Sequence, residues 1–298
     1  MNPANNEVAV SVEPQVSSGT RGWWWQGFVL ALLLAFLYYH ILVLLVKNWW
    51  QDPNFSHGFL IPFFSGYLIW RDRKRLAALP IKPSWFGLVV IAGALMILVV
   101  GVLGSELFLS RSSLLFLLAG QVIYFGGWRL FRSILFPWAF LFLMIPIPAI
   151  IFNQIAFPLQ ILASRLASTL LELVGVPVLQ QGNIIQLASM PLEVAEACSG
   201  IRSLMSLGAL AIIYGYFLEP KMPWRIVLAV AAIPIAVVSN SLRVVGTGVL
   251  VEWWDAEKAL GFFHTFSGWV IFVLAVGLLI TVHGALRFID GWLAARKQ

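Results

Sequence analysis

The 298-residue chain contains one cysteine and four histidines, and only 11% of its residues are charged. A single cysteine excludes a disulfide framework and any cysteine-based zinc or iron–sulfur centre. Soluble domains carry roughly 25% charged and about 45–50% apolar residues. Here 60% are hydrophobic, which leaves too little polar surface to coat a water-facing globule. The sequence has no HExxH, no outward pair of intramembrane aspartates, no Gly-x-Ser-x-Gly elbow and no phosphate-cradling loop. Metalloprotease, aspartyl-type signal peptidase and α/β-hydrolase readings therefore lack their parts. The net charge of +6 does not build a nucleic-acid face, because the basic residues lie in short clusters between apolar runs. Internal repeats, low-complexity tracts and interdomain linkers are missing as well, and the residues imply neither a metal nor another cofactor.

What remains is a series of long apolar runs, and these define an all-α integral membrane protein. A crossing helix needs roughly 20 apolar residues. About eight transmembrane helices are expected, at 24–46, 55–70, 84–104, 110–126, 133–152, 199–217, 224–245 and 267–287. The second is short for a crossing. The first is too long for a cleaved signal peptide and lacks a small-residue cleavage pattern. The domain plan is a disordered polar tail (1–20), a single polytopic domain (21–290) and a short second tail (291–298). The cluster Arg71-Asp72-Arg73-Lys74-Arg75 is the strongest cytoplasmic signal. Counting alternate loops from it places thirteen of the nineteen basic residues inside and most of the acids outside, with both termini in the cytoplasm.

Two stretches of the outer segment 153–198 differ from the spans. Between 153 and 175 the apolar positions Ile155, Leu159, Leu162, Leu166, Leu170 and Leu173 recur at three- and four-residue spacing. Gln154, Arg165, Ser168 and Glu172 fall on the other face, the pattern of an amphipathic helix lying in the interface. Between 176 and 195, two β-prone runs flank Gln181-Gly182-Asn183 and predict a small β-hairpin. That hairpin leads directly into Glu193-Val-Ala-Glu196-Ala-Cys198-Ser199-Gly200.

Three reactive side chains from separate spans converge on this outer face. They are Cys198 at the start of the sixth span, Arg243 near the end of the seventh and His264 just before the eighth. Each has a bland reading: a small buried thiol, an arginine snorkelling to head groups, an interfacial structural imidazole. Their convergence favours a catalytic site. The N–H groups at a helix start favour a thiolate at Cys198, and Arg202, one turn on, can add to this or pair with Glu196. These groups suit acyl transfer from a peptide bond. A thiolate attacks the carbonyl, an imidazole serves the departing amine, and a guanidinium holds negative charge on the oxygen or orients the substrate. His57 could contact substrate or serve as a cap. His40 and His283, inside or on the cytoplasmic side of the bilayer, are not expected to take part.

The block Val194-Ala-Glu196-Ala-Cys198-Ser199-Gly200-Ile-Arg202, then Asn240-x-x-Arg243, then His264 ahead of a final span, resembles the exosortase/archaeosortase family. The segment Ser56-His57-Gly58-Phe-Leu-Ile-Pro62 and the Gln181-Gly182-Asn183-Ile turn are similar to it too. The resemblance covers about residues 25–285. It implies a multi-pass transpeptidase of the bacterial inner membrane, with its active site on the periplasmic side. The substrates would be exported proteins with a C-terminal sorting signal: a Pro-Glu-Pro-like motif, one transmembrane helix and a basic tail. Cys198, Arg243 and His264 match the family's catalytic residues, while Glu196, Arg202, Asn240 and His57 are supporting or substrate-binding candidates. Association of the family with exopolysaccharide clusters implies an unknown acceptor on a surface glycan, and membrane lipid is the other partner. Some members continue into a soluble domain after the last span, whereas this chain stops about ten residues beyond it, which is expected of a short form. The alternatives are a non-enzymatic transporter or polysaccharide-assembly component, and a cysteine-dependent membrane acyltransferase.

Overall fold

Within a bilayer every backbone N–H and C=O must find its partner inside the protein, so runs of branched and aromatic residues settle as helices. The computed structural model describes residues 20–194, 201–254 and 262–296. Its helices are α1 (Thr20–Gln51), α2 (Leu60–Arg71), α3 (Arg73–Ala77), α4 (Phe86–Leu103), α5 (Leu107–Gly126), α6 (Trp128–Ser133), α7 (Leu135–Phe140), α8 (Ala149–Leu173), α9 (Ile201–Leu218), α10 (Met222–Trp253) and α11 (Phe262–Ala295). The strands β1 (Val178–Gln181), β2 (Ile184–Leu187) and β3 (Pro191–Glu193) form one small sheet. The chain is thus an all-α membrane protein with a minor β element. Contacts divide it into two compact units, up to Val43 and from Leu44. In the first, Phe28, Leu32, Leu33 and Phe36 of α1 are exposed, as lipid-facing side chains are in a bilayer helix.

Among the described residues, six helices are long and apolar enough to cross a membrane: Gly27–Gln51, Phe86–Leu103, Leu107–Gly126, Ala149–Leu173, Met222–Trp253 and Phe266–Trp292. Two of the eight expected spans are shortened or broken, the expected span 199–217 forms the shorter α9 and is not among the six, and the expected interfacial helix is revised as well. The run 55–70 becomes a 3-10 turn (Pro53–Phe59) followed by the 12-residue α2, about 18 Å long at 1.5 Å per residue. The run 133–152 is broken, because Pro146 and Pro148 cannot donate and push the residues before them out of helical geometry. It divides into α7, a 3-10 turn (Leu141–Met144), extended backbone at Ile145, and α8. The expected interfacial helix 153–175 is the larger part of α8, which at 25 residues is of crossing length.

Burial on α8 also differs from a simple amphipathic pattern. The stripe Ile155, Leu162, Leu166 and Leu173 is exposed, while Ala156, Gln160, Ala163, Ser164, Ala167 and Ser168 are buried. Small residues bring helices close in a membrane, where an apolar side chain gains nothing by leaving lipid for protein. Of the four polar positions expected on the outer face, Gln154, Arg165 and Glu172 are exposed and Ser168 is buried, while the face of small residues packs on protein. On it Ala163, Ala167 and Leu171 meet Val244 and Val251 of α10.

The α4–α5 pair uses the same device. A Cβ on Gly120 would lie 2.8 Å from Ile91 Cγ1 and 2.9 Å from the Ile91 nitrogen. On Gly101 it would lie 2.6 Å from the Ser110 nitrogen. Gly93, on the same α4, has nothing within 4 Å. Gly120→Ala is expected to cost about 1–3 kcal/mol through overpacking, outweighing a helix-propensity gain of about 1 kcal/mol. Gly93→Ala collects only the gain. Melting of the detergent-solubilised variants checks this, and equal Tm values for the two would sink it.

The sheet is antiparallel in the order β1-β2-β3. Pairing of Gln181 with Ile184 leaves Gly182-Asn183 as a two-residue turn, and Gly182 has φ +65°. Positive φ at the first central position alone is the type II′ requirement, which only glycine meets without cost. The hairpin thus forms at the expected place, joined by a third strand. Ile185, Leu187, Leu192 and Val194 are buried with α8 and α10 residues in one cluster.

Candidate functional site

The site is built where α9, α10 and α11 pack together. Arg243 lies on α10, which runs to Trp253, so it stands ten residues, about 15 Å, inside the helix rather than near its end. It is half-buried, and its Nε donates to Ser267 Oγ of α11 at 3.4 Å. Its Cζ is 3.8 Å from where a Gly268 Cβ would be. His264 falls in the first turn of α11, which begins five residues earlier than expected. Its side chain lies outside the described residues. Positions 264, 267 and 268 are spaced three and four apart, so they share one helical face. The antiparallel α10–α11 pair thereby brings Arg243 within one turn of position 264.

Asn240 sits one turn before Arg243 and is 1% exposed. Its Nδ2 has no hydrogen-bond partner among the described residues, and neither does the neighbouring buried hydroxyl of Ser239. A buried donor left unpaired costs about 1–3 kcal/mol, so this α10 turn holds polar capacity that the described fold does not use. Cys198 and Glu196 lie outside the described residues.

Arg202, in the first turn of α9, donates from Nε to Asn54 Oδ1 at 3.3 Å. Its partner here is therefore the 3-10 turn 53–59. Asp52 caps that turn by accepting from the Asn54 N–H at 2.9 Å. His57 is 7% exposed and its Nε2–H donates to the Leu143 carbonyl at 3.2 Å. Gly58 leaves room for the Trp49 ring, whose Nε1–H donates to the Met144 carbonyl at 2.8 Å. Together they pin the broken segment after α7. The far end of α2 is tied to α9 as well, with Arg71 donating to the Tyr216 hydroxyl at 2.9 Å and stacking over the Tyr216 and Phe217 rings. The two short helices run side by side in the same sense.

Burial lowers the His57 pKa below its ordinary value of about 6.5. The native state then holds a neutral ring, and as pH falls the unfolded chain takes up the proton first. Stability from this group is complete above about pH 6.5 and is lost progressively below it. The Tm in detergent is expected to fall between pH 7.5 and 5.5, with a smaller fall in His57→Gln. Parallel curves for the two proteins would refute the assignment.

Sequence reasoning overlooked two buried polar groups. Arg111 of α5 is 3% exposed, and the Asn48 amide, turned so that its oxygen faces the guanidinium, accepts from it at 3.1 Å. At the C-terminal end of α9, His283 Nε2 meets Glu219 Oε2 at 3.3 Å, and the Tyr214 hydroxyl meets His283 Nδ1 at 2.9 Å. Lys221 Nζ pairs with Asp290 at 2.6 Å beside them. Nothing in the local pattern around 283 signals that partnership, which only the helix packing creates. Among the described residues, no group of three or more His, Cys, Asp or Glu side chains is placed to hold a metal ion.

The class this defines is a multi-pass helical membrane protein with a guanidinium on α10 facing the first turns of α11 and a buried amide one turn away. A family model described as transmembrane exosortase (Exosortase_EpsH) matches residues 49–281, and the chain belongs to that family. No curated protein and no solved structure matches the chain.

Proposed function

We propose that the chain is a cysteine transpeptidase or peptidase that cuts the C-terminal sorting signal of exported proteins. The observation that carries this reading is the seating of Arg243 against Ser267 and Gly268, one turn from position 264, on helices packed with α9, which follows Cys198. The Cys198 thiolate adds to the scissile carbonyl, and Arg243 faces the negative charge that develops on oxygen. Collapse breaks the C–N bond. The departing amine takes a proton from His264, leaving a thioester on Cys198. A water molecule or an acceptor nucleophile then gives its proton to the imidazole, adds to the thioester and releases the thiolate. Asn240, with its unpaired amide donor, and Arg202 are supporting groups, and Glu196 lies within reach of either Arg202 or the substrate.

The charge pattern supports a bacterial inner-membrane setting with both termini in the cytoplasm and Cys198 on the periplasmic side. In that orientation a substrate helix with a basic tail keeps the tail inside, and its cleavage motif emerges level with Cys198. The test is co-expression with a reporter ending in a Pro-Glu-Pro motif, an apolar helix and a basic tail, read by intact mass. Loss of helix and tail is expected, and the mass of the new C-terminus separates hydrolysis from transfer to a surface, glycan-linked acceptor. An intact reporter, across several such signals from the same genome, would overturn the reading.

A further inference from the structure

β3 is an edge strand, and among the described residues no hydrogen bond uses its outward backbone groups. The Val194 N–H bonds to Asn183 O at 2.8 Å and the Leu187 N–H to Met190 O at 3.1 Å, on either side of the Ile185–Leu192 pair. In an antiparallel ladder bonded and non-bonded pairs alternate. Leu192 therefore exchanges its bonds with Ile185, while Glu193, opposite Ile184, turns its N–H and C=O away from β2. Pro191 presents a carbonyl on that side and no donor. Among the described residues no strand pairs with this edge.

We propose that β3 is the docking strand for substrate: the extended segment beside the scissile bond adds to the sheet as a fourth strand and exchanges backbone bonds with Glu193. This rests on the peptidase reading above. Three observations commit the edge to that occupant. Chain continuity places Glu193 five residues before Cys198, at most roughly 18 Å of extended backbone. The sheet is fixed to the helix that carries Arg243, through Leu192 and Val194 packed with Val244 and Val251 and through the Ser189 hydroxyl donating to Glu252 at 2.9 Å. An edge with one donor–acceptor pair unused among the described residues, blunted by Pro191, accepts a short extended peptide and is too small to template a second sheet. Main-chain pairing gives such a peptide register and affinity, leaving side-chain choice to the surroundings.

The geometry makes a selective test available. Glu193→Pro removes only the outward N–H, since that residue donates nothing to β2. Gln180→Pro does the same on the far edge, where Gln180 lies between the bonded pairs of β1 and β2. With the reporter in cells, Glu193→Pro is expected to lower kcat/KM about threefold to tenfold, the worth of one backbone hydrogen bond. Gln180→Pro is expected to stay at the wild-type value. A photo-crosslinking residue at 193 in a Cys198→Ala chain should capture uncut reporter, and one at 180 should not, whatever proline does to folding. Wild-type cleavage by Glu193→Pro, or capture of the chain's own N-terminal segment or of a second copy instead of reporter, overturns the proposal and leaves the peptidase reading standing. A wild-type chain that never cuts its reporter removes both.

Discussion

Replacing Cys198 with alanine should abolish release of the sorting signal, a loss on the order of 10⁴-fold or more, while the protein still inserts. The size follows from what is removed. Without the thiolate no covalent acyl intermediate forms, and the remaining groups can only orient water. Serine is no rescue, because its hydroxyl needs a far stronger base than a thiol to become the attacking anion. Cys198 is the chain's single cysteine, so a thiol-reactive probe reports on that one position. Labelling should compete with cleavage and should be faster as pH rises through the thiol pKa. Undiminished processing by the alanine variant would remove every thioester mechanism, the acyltransferase alternative included.

The second large effect is expected at Arg243. Alanine there should lower kcat about 10²- to 10³-fold, the range for losing one preorganised donor to a developing oxyanion. Lysine keeps the charge but loses the planar fork and the Nε donor that meets Ser267. It should therefore recover only part of the loss. If Arg243 instead holds a carboxylate of the bound substrate, both variants raise KM and leave kcat nearly intact. Measuring kcat and KM separately on purified protein in vesicles decides between the two roles. Rates equal to wild type for both variants would exclude the residue from the site.

Most of the helical plan was legible in the sequence because a bilayer makes a simple demand, about 20 apolar residues per crossing, and α1, α4, α5, α10 and α11 meet it. The errors arose where length alone misleads. Residues 55–70 are apolar enough, yet Asp52 and Pro53 start a 3-10 turn and shorten the following helix. Pro146 and Pro148 divide one apolar run between two elements. On α8 the leucine stripe and the polar positions Gln154, Arg165 and Glu172 are exposed, while the face that packs on protein is built of alanine and serine and carries no hydrophobic signal. The hairpin was visible in Gly182-Asn183, whereas β3, three residues with a leading proline, carries almost no strand signal.

The candidate site was legible as a set of residue types and less so as geometry. Asn240-x-x-Arg243 reads from sequence as two polar residues on one helical face, and the structure adds that Arg243 meets Ser267 and Gly268. For His57, beside Asp52 and Asn54 in the chain, substrate contact and a capping role are both open from sequence alone. Its ring is turned inward to the Leu143 carbonyl, a structural role whose partner, 86 residues distant, no local pattern encodes. Arg202 could be matched in sequence only with Glu196, its near neighbour, and its described partner, Asn54, is 148 residues away.

The buried Glu219–His283 contact has a consequence for biogenesis. The carboxylate is synthesised 64 residues before its imidazole, an interval on the order of 3–13 seconds at ordinary translation rates. During that interval α10 and the first half of α11 are made, and among the described residues up to position 282 the Glu219 carboxylate meets the Lys221 N–H at 2.9 Å. A carboxylate in that position resists being drawn into lipid. The α9–α10 loop is thereby held at the membrane surface until α11 arrives and its imidazole closes the three-helix group.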